Sequence, residues 1–345
     1  MKNKPYQSGM TLIEIMIALL IGAFLLGGVL QIFTGSKQTN RMQENLSRLQ
    51  ENGRFAMEFL SNNIRMAGFI GCSSQAIPTN TLLTPTDHLY AFNRAIDGFE
   101  STSSSAWSPD ITTAQITLPL GGSDVITIRR AADQSFTVTT QALNSSDLTL
   151  DATATTANLA NAGFLNSSNA NSCSMAVVSD CSDVAVFQVS AISGNVLSHT
   201  TGGSCPPGNS TADLLKTYVN GQVYPINTIR YYIRTNPNNQ PSLYRRVDLN
   251  DAEELVEGIE KMQILYGVDT DSTPDGSPNY YVSANNVADM SKVISIRLSL
   301  LAVTLDDNLA AQPLPYTYNS ATTTPTDRKI RRVFNTTIAI RNRLS

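Results

Sequence analysis

The feature that most constrains this chain is an apolar run over residues 12–33, which contains a single charged side chain, Glu14. A helix rises about 1.5 Å per residue, so a helix over this run spans about 33 Å, enough to cross the hydrocarbon core of a bilayer. A secretory signal has a shorter apolar stretch, about 7 to 15 residues, with a small-residue cleavage site after it. Here the run is longer, and Gly9 precedes it. The sequence therefore predicts a retained membrane-spanning helix.

Glu14 is the unusual residue of this span, because a charge inside a bilayer costs several kcal/mol. One interpretation places Glu14 near the membrane surface, where its carboxylate reaches the headgroups. In the other, the chain is cut between Gly9 and Met10, and Glu14 becomes the fifth residue of a new amino terminus. The α-amine created there is a cation, and the Glu14 of another subunit could pair with it inside an assembly, so that neither charge is buried alone.

A short basic leader, residues 1–9, ends in the motif SGMTLIE at positions 8–14. This motif resembles the class III leader of type IV pilins and of type II secretion pseudopilins. The resemblance implies that a prepilin peptidase cleaves after Gly9 on the cytoplasmic face and that Met10 is then N-methylated. It also implies that residues 10–33 serve as a membrane anchor and later as filament core. Most family members have Phe where this chain has Met10, and minor members tolerate that change.

Helical periodicity continues beyond the span. Apolar or small residues recur in steps of three and four, which places them on one helix face; they are Met42, Leu46, Leu49, Gly53, Ala56, Leu60 and Ile64. Gly68 and Gly71 favour the end of the helix. We therefore predict one helix of about 55 residues whose second half, residues 34–71, is amphipathic and packs on the domain that follows. An isolated coiled coil is the alternative, although the apolar stripe is short for one.

Residues 72–345 have a different texture. Lys and Arg are absent between Ala131 and Leu215, and Ser- and Thr-rich runs indicate long polar loops, with disorder as the alternative. Between these loops, β-rich apolar segments predict strands at 125–128, 136–138, 184–189, 229–233, 262–266, 293–298 and 333–340. The expected fold class is α+β: a long amino-terminal helix packed on a mostly antiparallel sheet domain with long loops.

Four segments of this domain extend the resemblance. They are VSDC at 178–181, LVEGIE at 255–260, QILYGVD at 263–269 and RVFNTT at 332–337. They resemble the PilW family of minor pilins and, less closely, the J-type minor pseudopilin of type II secretion, which is the alternative assignment. A receptor or adhesin tethered by one span is a third reading, and it predicts no processing after Gly9.

The PilW resemblance implies a non-catalytic structural role in type IV pilus assembly. Such a protein waits in the bacterial inner membrane with one span and its carboxy-terminal domain in the periplasm, and then enters the pilus, or fimbrium, to prime or cap it. The implied partners are other minor pilins, the major pilin, the prepilin peptidase, the inner-membrane assembly platform, membrane lipid and, where the system has one, a large tip adhesin.

The chain has four cysteines, Cys72, Cys173, Cys181 and Cys205, which allow three pairings if all are oxidised. None has the C-x-x-C spacing of a redox or zinc site. An even number of cysteines in a periplasmic domain favours disulfides, while one or two buried free thiols are the alternative. We expect the intact protein to offer no thiol for alkylation unless a reductant is present.

One loop carries candidate metal ligands. Asp269, Asp271 and Asp275 lie in the segment DTDSTPDG, and clustered carboxylates before a glycine suit Ca²⁺, a hard ion that takes oxygen ligands. The EF-hand spacing is not met, because position twelve is Tyr280 where that motif requires Glu. A surface turn without a metal is the alternative interpretation. The sequence gives no sign of any other cofactor.

Composition argues against two further classes. Only 15% of the residues are charged and the net charge is -4, so no basic surface is available to neutralise nucleic-acid phosphates. The two histidines, His88 and His199, lie in polar contexts and are expected to face solvent. There is no G-x-S-x-G motif for a serine hydrolase. We therefore expect neither nucleic-acid binding nor catalysis.

Overall fold

The computed structural model describes residues 11–72, 77–111, 116–164, 173–203, 205–273 and 275–343. Helix α1 is Leu12–Arg65, with 54 residues, and α2 is Thr156–Ala162. The length of α1 confirms the predicted long helix. It ends at Arg65, and Gly68 and Gly71 follow it with φ of 73° and 107°, in the left-handed region that favours glycine.

The described residues contain nineteen strands. They are β1 Thr79–Asn80, β2 Ile96–Ser101, β3 Trp107–Ser108, β4 Val125–Ala131, β5 Phe136–Thr140, β6 Leu148–Leu150, β7 Met175–Ser179, β8 Val184–Gln188, β9 Ala191–Ser193, β10 Val196–Ser198, β11 Gln222–Thr235, β12 Pro241–Val247, β13 Glu253–Glu257, β14 Ile259–Val268, β15 Tyr280–Val282, β16 Val293–Val303, β17 Tyr316–Tyr318, β18 Ala321–Thr323 and β19 Arg331–Ala339. Short 3₁₀ helices lie at Ala284–Asn286, Met290–Lys292 and Arg341–Arg343. Every predicted strand coincides with one of these elements.

Strand β11 is shared by two sheets. Its first residues pair with β5 and β7 in sheet A, whose order is β1-β8-β7-β11-β5-β6-β10-β9. Its later residues pair with β4 and β12 in sheet B, whose order is β3-β2-β4-β11-β12-β13. Sheet C has the order β15-β14-β16-β19, and β17 and β18 form a separate hairpin. Pairing among the described strands is antiparallel except between β1 and β8, which confirms the mostly antiparallel prediction.

The carboxy-terminal half of α1 packs on the domain. Its buried stripe consists of Asn45, Leu49, Gly53, Ala56, Leu60 and Ile64. Of these, Leu49, Ala56, Leu60 and Ile64 join one hydrophobic core with the inner faces of sheets B and C. Gly53 is required for close approach, because a Cβ there would lie 2.3 Å from a ring carbon of Phe334 on β19. The stripe agrees with the predicted one from Leu49 onward, whereas Met42 is exposed.

The segment without Lys or Arg is folded in its described part. Strands β5 to β8, strand β10, helix α2 and the residue Phe164 just after it enclose a second core. Phe136, Phe164, Phe187 and Leu197 contribute fully buried side chains to it. Every residue of β7 and β8 is buried, while β5 and β6 alternate between buried and more open positions, so apolar strand residues form this core without charged side chains. Disorder is therefore wrong for these strands, although residues 165–172 lie outside the described ranges.

Candidate functional site

The amino-terminal half of α1 is an apolar stem that stands clear of the domain. Over residues 12–33, described side chains such as Leu12, Phe24 and Ile32 are each about three-quarters exposed, at 76%, 76% and 74%. An 18-residue window of α1 has a mean hydropathy of 2.5 and no buried residue. Exposure of so much contiguous apolar surface marks a membrane or protein contact. A lipid bilayer or the stems of other subunits can bury this surface.

Glu14 lies in the first turn of this stem and participates in its amino-terminal cap. Thr11 N–H donates to Glu14 Oε2 at 2.9 Å, the Thr11 hydroxyl donates to the same oxygen at 3.0 Å, and Glu14 N–H donates to Thr11 Oγ1 at 3.4 Å. This reciprocal arrangement is a capping box. The sequence signal for it is T-x-x-E at residues 11–14, which was not among the predicted features. Gly9 and Met10, the expected processing site, lie outside the described residues.

Polar contacts fix the point at which the stem leaves the domain. Arg41 Nε lies 2.8 Å from Asp306 Oδ2, and Arg41 also donates to Asp307 O at 3.2 Å. Asn45 and Asp306 exchange two hydrogen bonds, of 3.2 and 3.3 Å. Hydrogen bonds from Arg41 and Asn45 lower the pKa of Asp306. An exposed ion pair adds at most about 1 kcal/mol to stability, so these contacts mainly set the direction of the stem.

All four cysteines form disulfides, which confirms the predicted oxidised state. Cys72 pairs with Cys181 at a Cα–Cα distance of 4.9 Å, and Cys173 pairs with Cys205 at 5.9 Å. The first bond joins the segment after α1 to the turn between β7 and β8. The second joins the residues before β7 to the loop that follows β10. The pairing was open at the level of the sequence, because it depends on contacts between distant segments.

The three predicted metal-ligand candidates come together in the loop between β14 and β15. Asp269, Asp271 and Asp275 each offer one carboxylate oxygen, and these oxygens lie within 4.8 Å of one another. Asp269 is buried, while Asp271 and Asp275 are exposed. The structure therefore brings together the candidates that the sequence grouped by proximity alone.

Comparison with known families identifies two segments of the chain. Residues 230–342 match the family model "Type IV Pilus-assembly protein W", PilW. Residues 4–30 match the "Prokaryotic N-terminal methylation motif". The chain carries a PilW domain. The matched PilW range contains the last six residues of β11, strands β12 and β13, all of sheet C and the loop between β14 and β15. The methylation motif covers residues 4–9 of the leader and most of the stem. Neither a curated protein nor a solved structure matches the chain.

The PilW domain and the methylation motif together support a type IV pilus minor pilin role. They indicate a structural protein without catalysis, and they suggest contacts with other pilins and with the pilus machinery. The apolar stem fits membrane anchoring followed by incorporation into the pilus. The match to PilW also agrees with the resemblance found in the segments at 255–260, 263–269 and 332–337, which lie inside the matched range.

The prediction that both histidines face solvent is wrong. The His88 side chain is 10% exposed, and its Nε2 lies 3.0 Å from Thr127 Oγ1. His199 is 1% exposed, and its Nε2 lies 2.9 Å from Ser146 O. Burial lowers the pKa of both side chains, and together with Arg129 it takes the pKa of His88 to about 4. Both histidines are therefore neutral packing residues near pH 7, outside the PilW domain.

A carboxylate pair, buried Asp124 and half-buried Glu100, joins sheet B to strand β14 of sheet C, and no sequence pattern predicted it. Asp124 accepts hydrogen bonds from Ser101 N at 3.0 Å, Ile264 N at 2.8 Å and Gln263 Nε2 at 2.8 Å. Gln263 Nε2 also donates to Glu100 at 3.2 Å. Burial, and then the charge of Glu100, raise the pKa of Asp124 to about 7, and burial raises the pKa of Glu100. Two single acids from distant strands give no sequence signal.

This pair predicts an unusual pH dependence of stability. Asp124 keeps its proton in the folded protein at pH values where the unfolded chain has lost it, so stability falls as pH rises from about 4 to about 7 and changes little above. Glu100→Gln removes the neighbouring charge, and we expect the fall to shrink by about 1 kcal/mol, close to the free energy of one pKa unit. Denaturant unfolding between pH 4 and pH 8 measures the free energy of unfolding, and Glu51→Gln, at an exposed position, is the control. If stability falls equally with pH in both variants, the charge of Glu100 does not raise the pKa of Asp124.

Proposed function

We propose that this chain is a minor pilin that joins other minor pilins to prime or cap a type IV pilus after its leader is removed. The observation that carries the proposal is a helix of two unlike halves: its apolar stem is exposed, and its second half packs on sheets B and C. The stem has no buried residue in its most apolar window, while the second half of the same helix contributes to the main core. Because one continuous helix carries both parts, the position of the domain fixes the position of the stem, and packing of stems in a filament fixes how domains meet.

The stem supplies cohesion in this proposal. In the inner membrane, lipid covers the residues 12–33, and in a filament the stems of neighbouring subunits replace lipid as their surroundings. Little free energy is lost in that exchange, because lipid tails and leucine side chains are similarly apolar. Small residues allow helices to approach closely, and Gly22, Gly27 and Gly28 have open space around the position of a Cβ. The free energy that favours assembly then comes mainly from polar groups in the stem and from contacts of the domain.

The domain supplies selectivity in this proposal. Its surface has few charges for its size, so shape and neutral hydrogen bonds, more than strong electrostatic attraction, determine which neighbours fit. The partners are other minor pilins and the major pilin, with the prepilin peptidase and the inner-membrane assembly platform acting before and during incorporation.

The direct test is a strain that lacks this gene and is complemented with variants. We expect Gly9→Val to block leader removal and pilus formation together, because the β-branched side chain replaces the small residue on the amino-terminal side of the scissile bond. Mass spectrometry of the amino terminus and counting of sheared pili provide the measurements. Gln7→Val is the matched control, since it alters a leader residue that cleavage removes.

Two outcomes would contradict the proposal. The first is normal piliation by a Gly9→Val protein that still carries residues 1–9. The second is a deletion strain with normal pili and a defect in type II secretion, which would make the chain a pseudopilin.

A further inference from the structure

The loop between β14 and β15 concentrates negative charge at one edge of sheet C. It runs from Asp269, directly after β14, to Asn279, directly before β15. Carboxylate oxygens of Asp269, Asp271 and Asp275 approach one another within 4.8 Å. None of the three forms an ion pair with a basic side chain in the part of the chain that the structure describes. Three like charges so close to one another repel.

Asp269 provides a second and independent observation. Its side chain is buried, with the residue only 5% exposed. Oδ1 accepts a hydrogen bond from Asp271 N at 3.1 Å, but Oδ2 is buried and receives no donor among the described residues. A buried carboxylate oxygen without a donor or a counterion is costly. A cation between the three carboxylates removes that cost.

The loop is held in place by its own backbone and by one amide. Asn279 N–H donates to Val268 O at 2.9 Å, and Asn279 Oδ1 accepts from Thr270 N at 2.6 Å. Asn279 Nδ2 donates to Asp271 Oδ1 at 3.2 Å. Asp269 N–H donates to Lys292 O at 3.0 Å, which ties the start of the loop to the residue before β16. Binding of an ion therefore requires little new ordering of this end of the loop.

We propose that Asp269, Asp271 and Asp275 bind a Ca²⁺ ion, with water and backbone carbonyls completing its shell. Ca²⁺ takes six to eight oxygen ligands in flexible geometry, whereas Mg²⁺ demands near-ideal octahedral geometry and is usually held by one or two carboxylates. An irregular loop with three carboxylates therefore suits Ca²⁺ better. The spacing is not that of an EF-hand, so the sequence alone favoured a metal-free turn, and the buried Oδ2 atom of Asp269 changes that weighting. This proposal is independent of the role in pilus assembly.

The test uses the full chain in detergent micelles and two probes, Tb³⁺ and Ca²⁺. Tyr280 and Tyr281 follow the loop directly and serve as donors for sensitised Tb³⁺ luminescence. We expect saturable luminescence that Ca²⁺ displaces, with a Kd for Ca²⁺ of about 10⁻⁴ to 10⁻³ M, as in extracellular modules. The double variant Asp271→Asn/Asp275→Asn should bind at least about tenfold more weakly, since affinity follows the number of charged ligands.

The control is Asp251→Asn, which removes a carboxylate from an exposed position outside this loop and should leave binding unchanged. Asp271 and Asp275 are exposed, so the double variant is expected to fold as the natural chain does. Absence of saturable Tb³⁺ binding, or equal affinities in the double variant and the natural chain, would overturn the proposal.

Thermal unfolding of Asp269→Asn gives a second readout, because the change should affect the melting temperature differently in EDTA and in Ca²⁺. In EDTA this variant should melt no lower than the natural chain, because the change removes one of three repelling charges. With excess Ca²⁺ the natural chain should melt at a higher temperature than in EDTA, while the variant should gain much less. Equal gains from Ca²⁺ in both proteins would contradict the role of Asp269, and the double variant decides the matter if Asp269→Asn does not fold.

Discussion

Glu14→Ala is expected to leave the chain in the inner membrane and to remove most pili from the cells that produce it. Insertion depends on the apolar run, which the change makes more apolar. In the proposed pairing, assembly depends on the Glu14 carboxylate, which would meet the amine of a neighbouring subunit. In a filament the surrounding stems would bury this pair, and removing one partner would leave the other charge uncompensated, so we expect pilus number to fall at least about tenfold. Membrane fractionation and counting of sheared pili measure the two effects separately.

The capping box requires a second variant, because Glu14 also accepts hydrogen bonds from Thr11. Glu14→Gln keeps an oxygen for this cap, since glutamine serves at the same position of a capping box, but it carries no charge. If charge pairing is the function, Glu14→Gln fails as Glu14→Ala does. Thr11→Val, which removes the hydroxyl cap and leaves the charge, should then retain pili. Normal piliation by Glu14→Gln would show that the start of the helix matters and that the pairing does not.

Sequence patterns were sufficient where a structure repeats along the chain. The 54 residues of α1 carry a periodic stripe, and several of the longer strands are apolar or alternating runs, so α1, β4, β11, β14, β16 and β19 were predictable. Strand β12, as long as β4, was missed, because PSLYRRV has neither pattern. Strands of two or three residues, such as Thr79–Asn80 and Trp107–Ser108, are too short for any period to show. The sharing of β11 between sheets A and B depends on distant pairing partners and leaves no local signal.

Polar residues were predicted less well, because local context does not report burial. His88 follows a polar segment, yet the ring of Phe99 lies 5.1 Å away, centroid to centroid, and helps to cover it. Asp124 lies in a polar turn of the sequence, and its burial depends on β14, which donates a hydrogen bond to it from Ile264 N, 140 residues away. The leader motif was predictable because it does not depend on burial. Its residues are adjacent in the chain, so spacing alone was enough to predict the motif that the family comparison then matched at residues 4–30. Cleavage after Gly9 stays a prediction.

The disulfides should differ in their contribution to stability. Cys72 and Cys181 are 109 residues apart, and Cys173 and Cys205 are 32 apart. A cross-link restricts the unfolded chain more when it closes a longer loop, so loss of the first bond should lower the free energy of unfolding by about 4 to 5 kcal/mol and loss of the second by about 3 to 4 kcal/mol. Cys72→Ala/Cys181→Ala and Cys173→Ala/Cys205→Ala are the variants to compare.

Guanidinium unfolding of the full chain in detergent, with and without reductant, measures both differences. Under reducing conditions the natural chain should fall to or below the stability of either double variant, and only then should its thiols react with an alkylating agent. A natural chain insensitive to reductant, or a greater loss from the second pair, would contradict the loop-length argument. The first bond has a further consequence, because Cys72 lies just beyond the end of α1 at Arg65. Without it, sheet A loses its covalent link to the segment after the helix that carries the stem, so Cys72→Ala/Cys181→Ala should reduce piliation more than the other pair does.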